Sequence, residues 1–119
     1  MSGVKMLLTC DGILKEIASE FNYKVYMNEA PRVESCIVYV YEPLYANGVL
    51  TEIYLEIRVI LENESQILDI EPKIMERFLG IGDTQVIPNA TYVEQSTGGS
   101  TRDYTNRLTH FFYGFYIYF

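Results

Sequence analysis

The lone histidine and a pair of carboxylates are the side chains in this sequence that could take part in catalysis. His110 lies in an apolar run with no nucleophile near it, which favours a packed or edge histidine over a general base. Glu52 and Glu56 flank Tyr54 at strand spacing and share a face with Arg58. Such carboxylates could exchange protons in a pocket, but a solvated strand face is the better interpretation. We therefore predict no catalytic residues and no enzyme activity.

The sequence does not indicate a metal or cofactor site. Cys10 and Cys36 are too few and too far apart for structural zinc, and we expect both to be reduced and buried. The glycines match no phosphate-binding loop. One group of acids lacks calcium-loop spacing and is typical of a helix start. These acids are Glu62, Glu64, Asp69 and Glu71. We predict no cofactor and no metal.

Composition and charge indicate one acidic domain over residues 1–119. The chain is 49% hydrophobic and carries a net charge of −7, so it can form a core but lacks the basic clusters of DNA-binding proteins. An acidic wall would still suit a channel through which DNA slides. The 11 tyrosines suit protein interfaces or simply strands. No apolar run has membrane-spanning length, and we expect a protein of the reducing cytoplasm.

Alternating apolar residues predict one long central strand over Val49–Glu62. Its apolar face is predicted to be Val49, Thr51, Ile53, Leu55, Ile57, Val59 and Leu61. The preceding Asn47-Gly48 pair is a hairpin signal, so we pair this strand with a strand over Ser35–Tyr41. Tyr23–Met27 is predicted to be a further short strand.

Helical spacing predicts two helices. The first covers Lys5–Asn22, and Asn22 is a suitable left-handed end. The second lies within Asn63–Leu79. Its Pro72 should lie in the first turn, with Asp69 or Ile70 as the N-cap. Gly80 follows as the residue after the helix end.

The last third is predicted to contain strands and one loop. Thr84–Gln95 is predicted to form two short strands that Pro88-Asn89 interrupts. Ser96–Asp103 is polar and Gly-rich, which indicates a flexible loop. Tyr104–Phe119 is a final strand that is apolar on both faces. A chain of this size cannot easily bury both faces, so we predict that one of them is a subunit interface. Its residues are Phe111, Tyr113, Phe115, Ile117 and Phe119.

These elements predict an α+β fold. We expect a mixed, mainly antiparallel sheet of four to five strands, with two helices on one face. The order resembles that of the small tail terminator (tail completion) proteins of long-tailed bacteriophages. The likeness is carried by the helix ending near Phe21, PRVESCIVYVY at Pro31–Tyr41, the strand at Ile53–Leu61, the helix at Lys73–Leu79 and the aromatic end at Phe111–Phe119. It spans nearly the whole chain and is a likeness of pattern, without a signature motif.

The resemblance implies a structural role in the virion. Proteins of that family form a ring, typically a hexamer, at the head-proximal end of the tail tube. The ring ends tube polymerisation and docks onto a head connector or stopper protein, and DNA passes through its lumen without specific binding. The resemblance thus implies assembly in the bacterial cytoplasm and a final location at the tail–head junction, with no membrane partner.

Three other interpretations stay open. Other phage neck proteins, such as head-completion adaptors and stoppers, share this size and charge. A small ligand-binding or enzyme-accessory domain could use Tyr39, Tyr41, Tyr54 and Tyr116 to line a pocket. An antitoxin-like inhibitor that mimics nucleic acid would need a contiguous acidic patch, whereas the acids are scattered in the sequence.

Overall fold

The computed structural model describes residues 3–80 and 87–119. The helices and strands along the chain are α1 (Gly3–Ser19), β1 (Lys24–Met27), β2 (Cys36–Ala46), β3 (Val49–Leu61), α2 (Ile67–Phe78), β4 (Tyr92–Asp103) and β5 (Leu108–Tyr118). The five strands form one sheet in the order β1-β2-β3-β5-β4. Only β1 and β2 run parallel; the other neighbours are antiparallel. The predicted α+β fold is confirmed.

The long strand β3 lies at the centre of the sheet, as predicted. It pairs with β2 on one side and β5 on the other. Asn47 and Gly48 have φ values of 52° and 77°, so they form the two-residue turn that an Asn-Gly pair favours. From Ile53 to Leu61 the predicted apolar residues are all buried.

A β-bulge makes the prediction for the start of β3 wrong. Leu50 and Glu52 face consecutive residues of β2, so Thr51 is an extra residue that shifts the alternation. Leu50 is therefore buried, whereas Val49 is exposed. The bulge changes which face each residue occupies, and the hydrophobic pattern alone does not reveal it.

Both helices pack on one face of the sheet, as predicted. Phe78 of α2 stacks on Phe115 of β5 with ring centroids 5.6 Å apart. The helices contribute Met6, Cys10, Leu14, Ile17, Ile70, Ile74 and Phe78 to this core, and the sheet contributes Ile37, Tyr39, Ile53, Leu55, Ile57, Val59, Tyr113, Phe115 and Ile117. We call this side of the sheet the helix-covered face.

The start of α2 differs from the prediction. Asn63 accepts a hydrogen bond from the Ser65 N–H and caps a single 3-10 turn that leads directly into α2. Pro72 lies inside α2, so the predicted cap at Asp69 or Ile70 is wrong. The helix forms through Pro72 because one side of it is anchored in the core, which outweighs a missing hydrogen bond. The buried residues of this side are Ile70, Ile74 and Phe78.

Left-handed residues follow both helices. Asn22 has a φ of 59° and Gly80 a φ of 83°, as their residue types predict. The helix α1 ends at Ser19, three residues before the predicted end.

The strand β2 extends beyond the predicted Ser35–Tyr41. It continues through Pro43 to Ala46, and only Asn47 and Gly48 form the turn. Proline is tolerated here because β1 pairs only as far as Tyr39, so this part of β2 is an edge.

The prediction that Ser96–Asp103 is a flexible loop is wrong. This segment forms the larger part of β4, which pairs with β5. The turn between β4 and β5 lies at residues 104–107. Backbone bonds hold an edge strand whatever its side chains are, so a polar pattern does not exclude it. Pro88 and Asn89 form a turn before β4. Residues 84–86 of the strand piece predicted to begin at Thr84 lie outside the described residues.

Candidate functional site

The five residues predicted to form a subunit interface belong to the helix-covered face. Tyr113, Phe115 and Ile117 are 4%, 0% and 0% exposed, so they offer no surface to a partner and the prediction is wrong for them. Phe111 and Phe119 are half-buried at the margin of the same core. Because β5 is apolar on both sides, its sequence does not show which side the helices cover.

The opposite side of the sheet, which we call the open face, carries no helix formed by residues 3–80 or 87–119. Side chains of neighbouring strands lie there in cross-strand rows over β2, β3, β5 and β4. Each row is given in the strand order β2, β3, β5, β4. The first three rows are Cys36, Ile60, His110 and Thr101; Val38, Arg58, Phe112 and Gly99; and Val40, Glu56, Gly114 and Thr97. The last two rows are Glu42, Tyr54, Tyr116 and Glu94; and Leu44, Glu52, Tyr118 and Tyr92.

The chain itself covers the first end of the open face. Tyr26 and Ala30 pack on a small apolar cluster there, and the Tyr26 hydroxyl donates to Glu34 at 3.2 Å. The cluster consists of Cys36, Val38, Ile60 and Leu108. Burial raises the pKa of the Cys36 thiol to about 11, with a smaller contribution from Glu34. Cys36 is free and buried, as is Cys10, and both observations agree with the sequence.

The middle of the open face holds an arginine between an aromatic ring and a carboxylate. The Arg58 guanidinium lies 5.7 Å from the centroid of Phe112 and 3.6 Å from a Glu56 oxygen. His110 lies in the adjacent row, where burial and then the charge of Arg58 lower its pKa. Among the described residues its buried Nδ1 has no hydrogen-bond partner. A neutral histidine without a positioned nucleophile does not make a catalytic pair.

The other end of the open face is a surface of tyrosines and glutamates. Tyr54 and Tyr116 have centroids 5.0 Å apart at an angle of 47°. Tyr118 stacks on both Tyr116 and Tyr92 at 6.3 and 6.1 Å, and its hydroxyl donates to Glu94 at 2.8 Å. We define the tyrosine–glutamate surface as Glu42, Glu52, Tyr54, Tyr92, Glu94, Tyr116 and Tyr118. A groove of about 400 Å³ runs over Glu42, Glu52, Tyr54 and Tyr116.

The electrostatics of this surface are negative. The hydrogen bond to Glu94, followed by burial and by the charges of Glu94 and Glu52, raises the pKa of Tyr118 to about 12. Burial, followed by Glu56, Tyr116 and Glu42, raises the pKa of Tyr54. None of the ion pairs among the described residues involves Glu42, Glu52 or Glu94. The sequence does not reveal this surface, because its residues come from four strands.

The tyrosine pocket considered in the sequence analysis does not form. Tyr39 and Tyr41 point into the helix-covered face, where their hydroxyls donate to Asp11 at 2.9 Å and to the Gly3 carbonyl at 2.6 Å. Tyr54 and Tyr116 lie on the opposite side of the sheet. The four rings therefore cannot line one cavity.

The described residues include no group of side chains arranged to bind a metal ion. Within residues 3–80 and 87–119, no three histidine, cysteine or acidic side chains are grouped to hold a metal ion. Glu52 and Glu56 share the open face as predicted, but Glu56 pairs with Arg58. No helix in this part of the chain is long and apolar enough to cross a membrane. No protein-family model matches the chain, and no curated protein matches it.

Proposed function

We propose that the protein is a structural subunit of a phage tail, and that it acts as a tail terminator. In this role it forms a ring, typically a hexamer, at the head-proximal end of the tail tube, ends tube growth and joins the tail to the head. The open face is the observation that carries this proposal. An aromatic sheet face that the described residues leave uncovered is typical of a protein that works by contact.

Two further features support assembly. The edge strand β4 is 12 residues long and has no outer neighbour among the described residues, so its backbone groups are available for pairing with another chain. The net charge of −7 would keep a lumen through which DNA passes from binding the phosphates.

The proposal is tested by solution mass from light scattering, with negative-stain images of the same fraction. We expect six-fold rings of about 80 kDa, built from chains of 13.8 kDa by closed cyclic symmetry. Polymerising tail-tube protein is then mixed with the chain, and tube length is measured. Shorter tubes with capped ends support a terminator. A chain that stays monomeric both alone and with tubes contradicts the proposal.

A matched pair of variants tests whether the open face is the contact surface. Tyr54→Ser combined with Tyr116→Ser should leave a folded chain that no longer caps tubes. Tyr104→Ser removes a tyrosine that is 84% exposed at the β4–β5 turn, and it should leave capping unchanged. Rings that bind a head connector without shortening tubes would identify an adaptor or a stopper instead.

A further inference from the structure

We propose that the tyrosine–glutamate surface binds arginine or lysine side chains of a basic segment in a protein partner. This inference rests on the proposed function only in taking the open face as a contact surface. It adds the chemistry of the partner, which the ring model leaves undefined.

The open face already contains one bound guanidinium. Arg58 lies over the ring of Phe112 and beside the carboxylate of Glu56. Aromatic faces attract cations through the ring quadrupole, and a neighbouring carboxylate adds charge attraction. On this face, a cation is therefore held between an aromatic ring and a carboxylate.

Two rows further along the sheet, the same kind of site has no cationic side chain from the described part of the chain. Glu42, Tyr54, Tyr116 and Glu94 follow one another across four strands. Two aromatic rings therefore lie between two carboxylates, over a width of about 15 Å at ordinary strand spacing. Glu52 of the next row lines the same groove. No lysine or arginine of the described residues forms an ion pair with these three glutamates.

Charge complementarity selects the occupant. A second copy of the same surface would bring glutamates against glutamates, which costs free energy at a contact. Nucleic acid is repelled by the same carboxylates. A wholly apolar segment would bury the glutamates without partners. A basic segment supplies the missing charge and places alkyl stems and guanidinium planes on the tyrosines.

The probe is a fluorescein-labelled peptide of alternating arginine and serine, and the measurement is fluorescence anisotropy with the full chain. The control peptide replaces arginine with glutamate. We expect saturable binding of the arginine peptide only. Added salt should weaken this binding, because dissolved ions screen the charges at an exposed site.

Two variants with equal charge separate a specific site from general attraction. The first combines Glu42→Gln, Glu52→Gln and Glu94→Gln. The second combines Glu62→Gln, Asp69→Asn and Glu76→Gln, which lie after β3 or on α2 and belong to none of the open-face rows. Each removes three charges from the net −7. We expect about tenfold weaker binding for the first variant and less than about a twofold change for the second.

Replacing the rings tests the aromatic contribution at constant charge. Tyr54→Leu combined with Tyr116→Leu should weaken binding about threefold to tenfold, while circular dichroism and urea unfolding confirm that the chain folds. No saturable binding, or an equal loss in the two charge variants, would overturn the inference.

The outcomes separate this inference from the proposed function. Peptide binding by a chain that neither forms rings nor caps tubes supports the inference and contradicts the terminator role. Rings that cap tubes but do not bind the peptide support the role and contradict the inference. A chain that self-associates until the glutamates are replaced would show that the occupant is a second copy, which also contradicts it.

Discussion

Tyrosines and acidic residues lie on both faces of the sheet, but they make different contacts on each face. On the helix-covered face, tyrosine hydroxyls bond to acids of the helices, as Tyr39 does with Asp11 and Tyr113 with Glu71. On the open face, Tyr54 and Tyr116 contact each other, and the glutamates beside them have no cation among the described residues. The tyrosines of one face are thus bonded within the fold, and the proposal assigns those of the other face to contact with a partner.

The largest expected difference in unfolding free energy between the two faces comes from truncating one phenylalanine on each. Phe115→Ala removes a fully buried ring that stacks on Phe78, and it should lower the free energy of unfolding by about 3–5 kcal/mol. Phe112→Ala removes a half-buried ring under Arg58, and it should cost only about 1 kcal/mol. Urea unfolding of both variants measures the difference. Equal losses would show that both faces contribute alike to folding.

Alkaline pH should destabilise the protein, chiefly through the helix-covered face. Burial, followed by the charges of Cys10 and Tyr45, raises the pKa of Tyr41 to about 12. Burial and then bonding to acids raise the pKa of Tyr39 and Tyr113 further above the ordinary 10.0. The folded chain therefore keeps protons that the unfolded chain loses, so this stability is full below pH 10 and falls as pH rises towards 12 and beyond.

Urea unfolding at a series of pH values, with phenolate absorbance on the folded chain, tests this. Tyr39→Phe combined with Tyr113→Phe should flatten the decline. Burial also raises the pKa of Cys10 to about 12, so a residual slope should remain in that variant. A wild-type stability that stays constant between about pH 9 and pH 12 would contradict the expected linkage.

The sequence predicted the parts of the fold that depend on local signals. The alternation after Ile53, the Asn47-Gly48 turn and the spacing in α1 each follow from backbone geometry and burial. These features were sufficient for the fold class. The strand β4 was missed because its pairing depends on β5, and its exposed side chains carry no pattern of burial.

The candidate site could not be predicted because it depends on register. With the pairing next to the turn, Glu42 would lie opposite Ile53. The bulge at Thr51 shifts this pairing by one residue and brings Tyr54 opposite Glu42 instead. Neither the bulge nor the cross-strand neighbours Tyr116 and Glu94 can be derived from hydrophobic alternation.

A smaller effect is expected from removing single hydroxyls on the two faces. Tyr113→Phe deletes a bond of 2.6 Å to Glu71 beneath α2 and should cost about 1 kcal/mol of unfolding free energy. Tyr118→Phe deletes a bond of 2.8 Å to Glu94 on the open face. It should cost less than about 0.5 kcal/mol, because solvent replaces the lost partner. Thermal and urea unfolding measure both variants, and the reverse order would contradict the assignment of the faces.

The smallest effect on stability should come from the glutamates of the open face. Glu42→Gln combined with Glu52→Gln should change the free energy of unfolding by less than about 0.5 kcal/mol, because neither carboxylate has a cationic partner in the part of the chain that the structure describes. The pKa of Tyr54 and Tyr118, which these charges help to raise, should fall in the same variant and can be followed by phenolate absorbance. Asp11→Asn is the matched change on the other face, where Asp11 pairs with Lys15 at 2.7 Å and accepts from Tyr39, and it should cost about 1 kcal/mol. A loss from the open-face variant as large as that from Asp11→Asn would mean that the glutamates serve folding, and the case for a cationic partner would lose its main support.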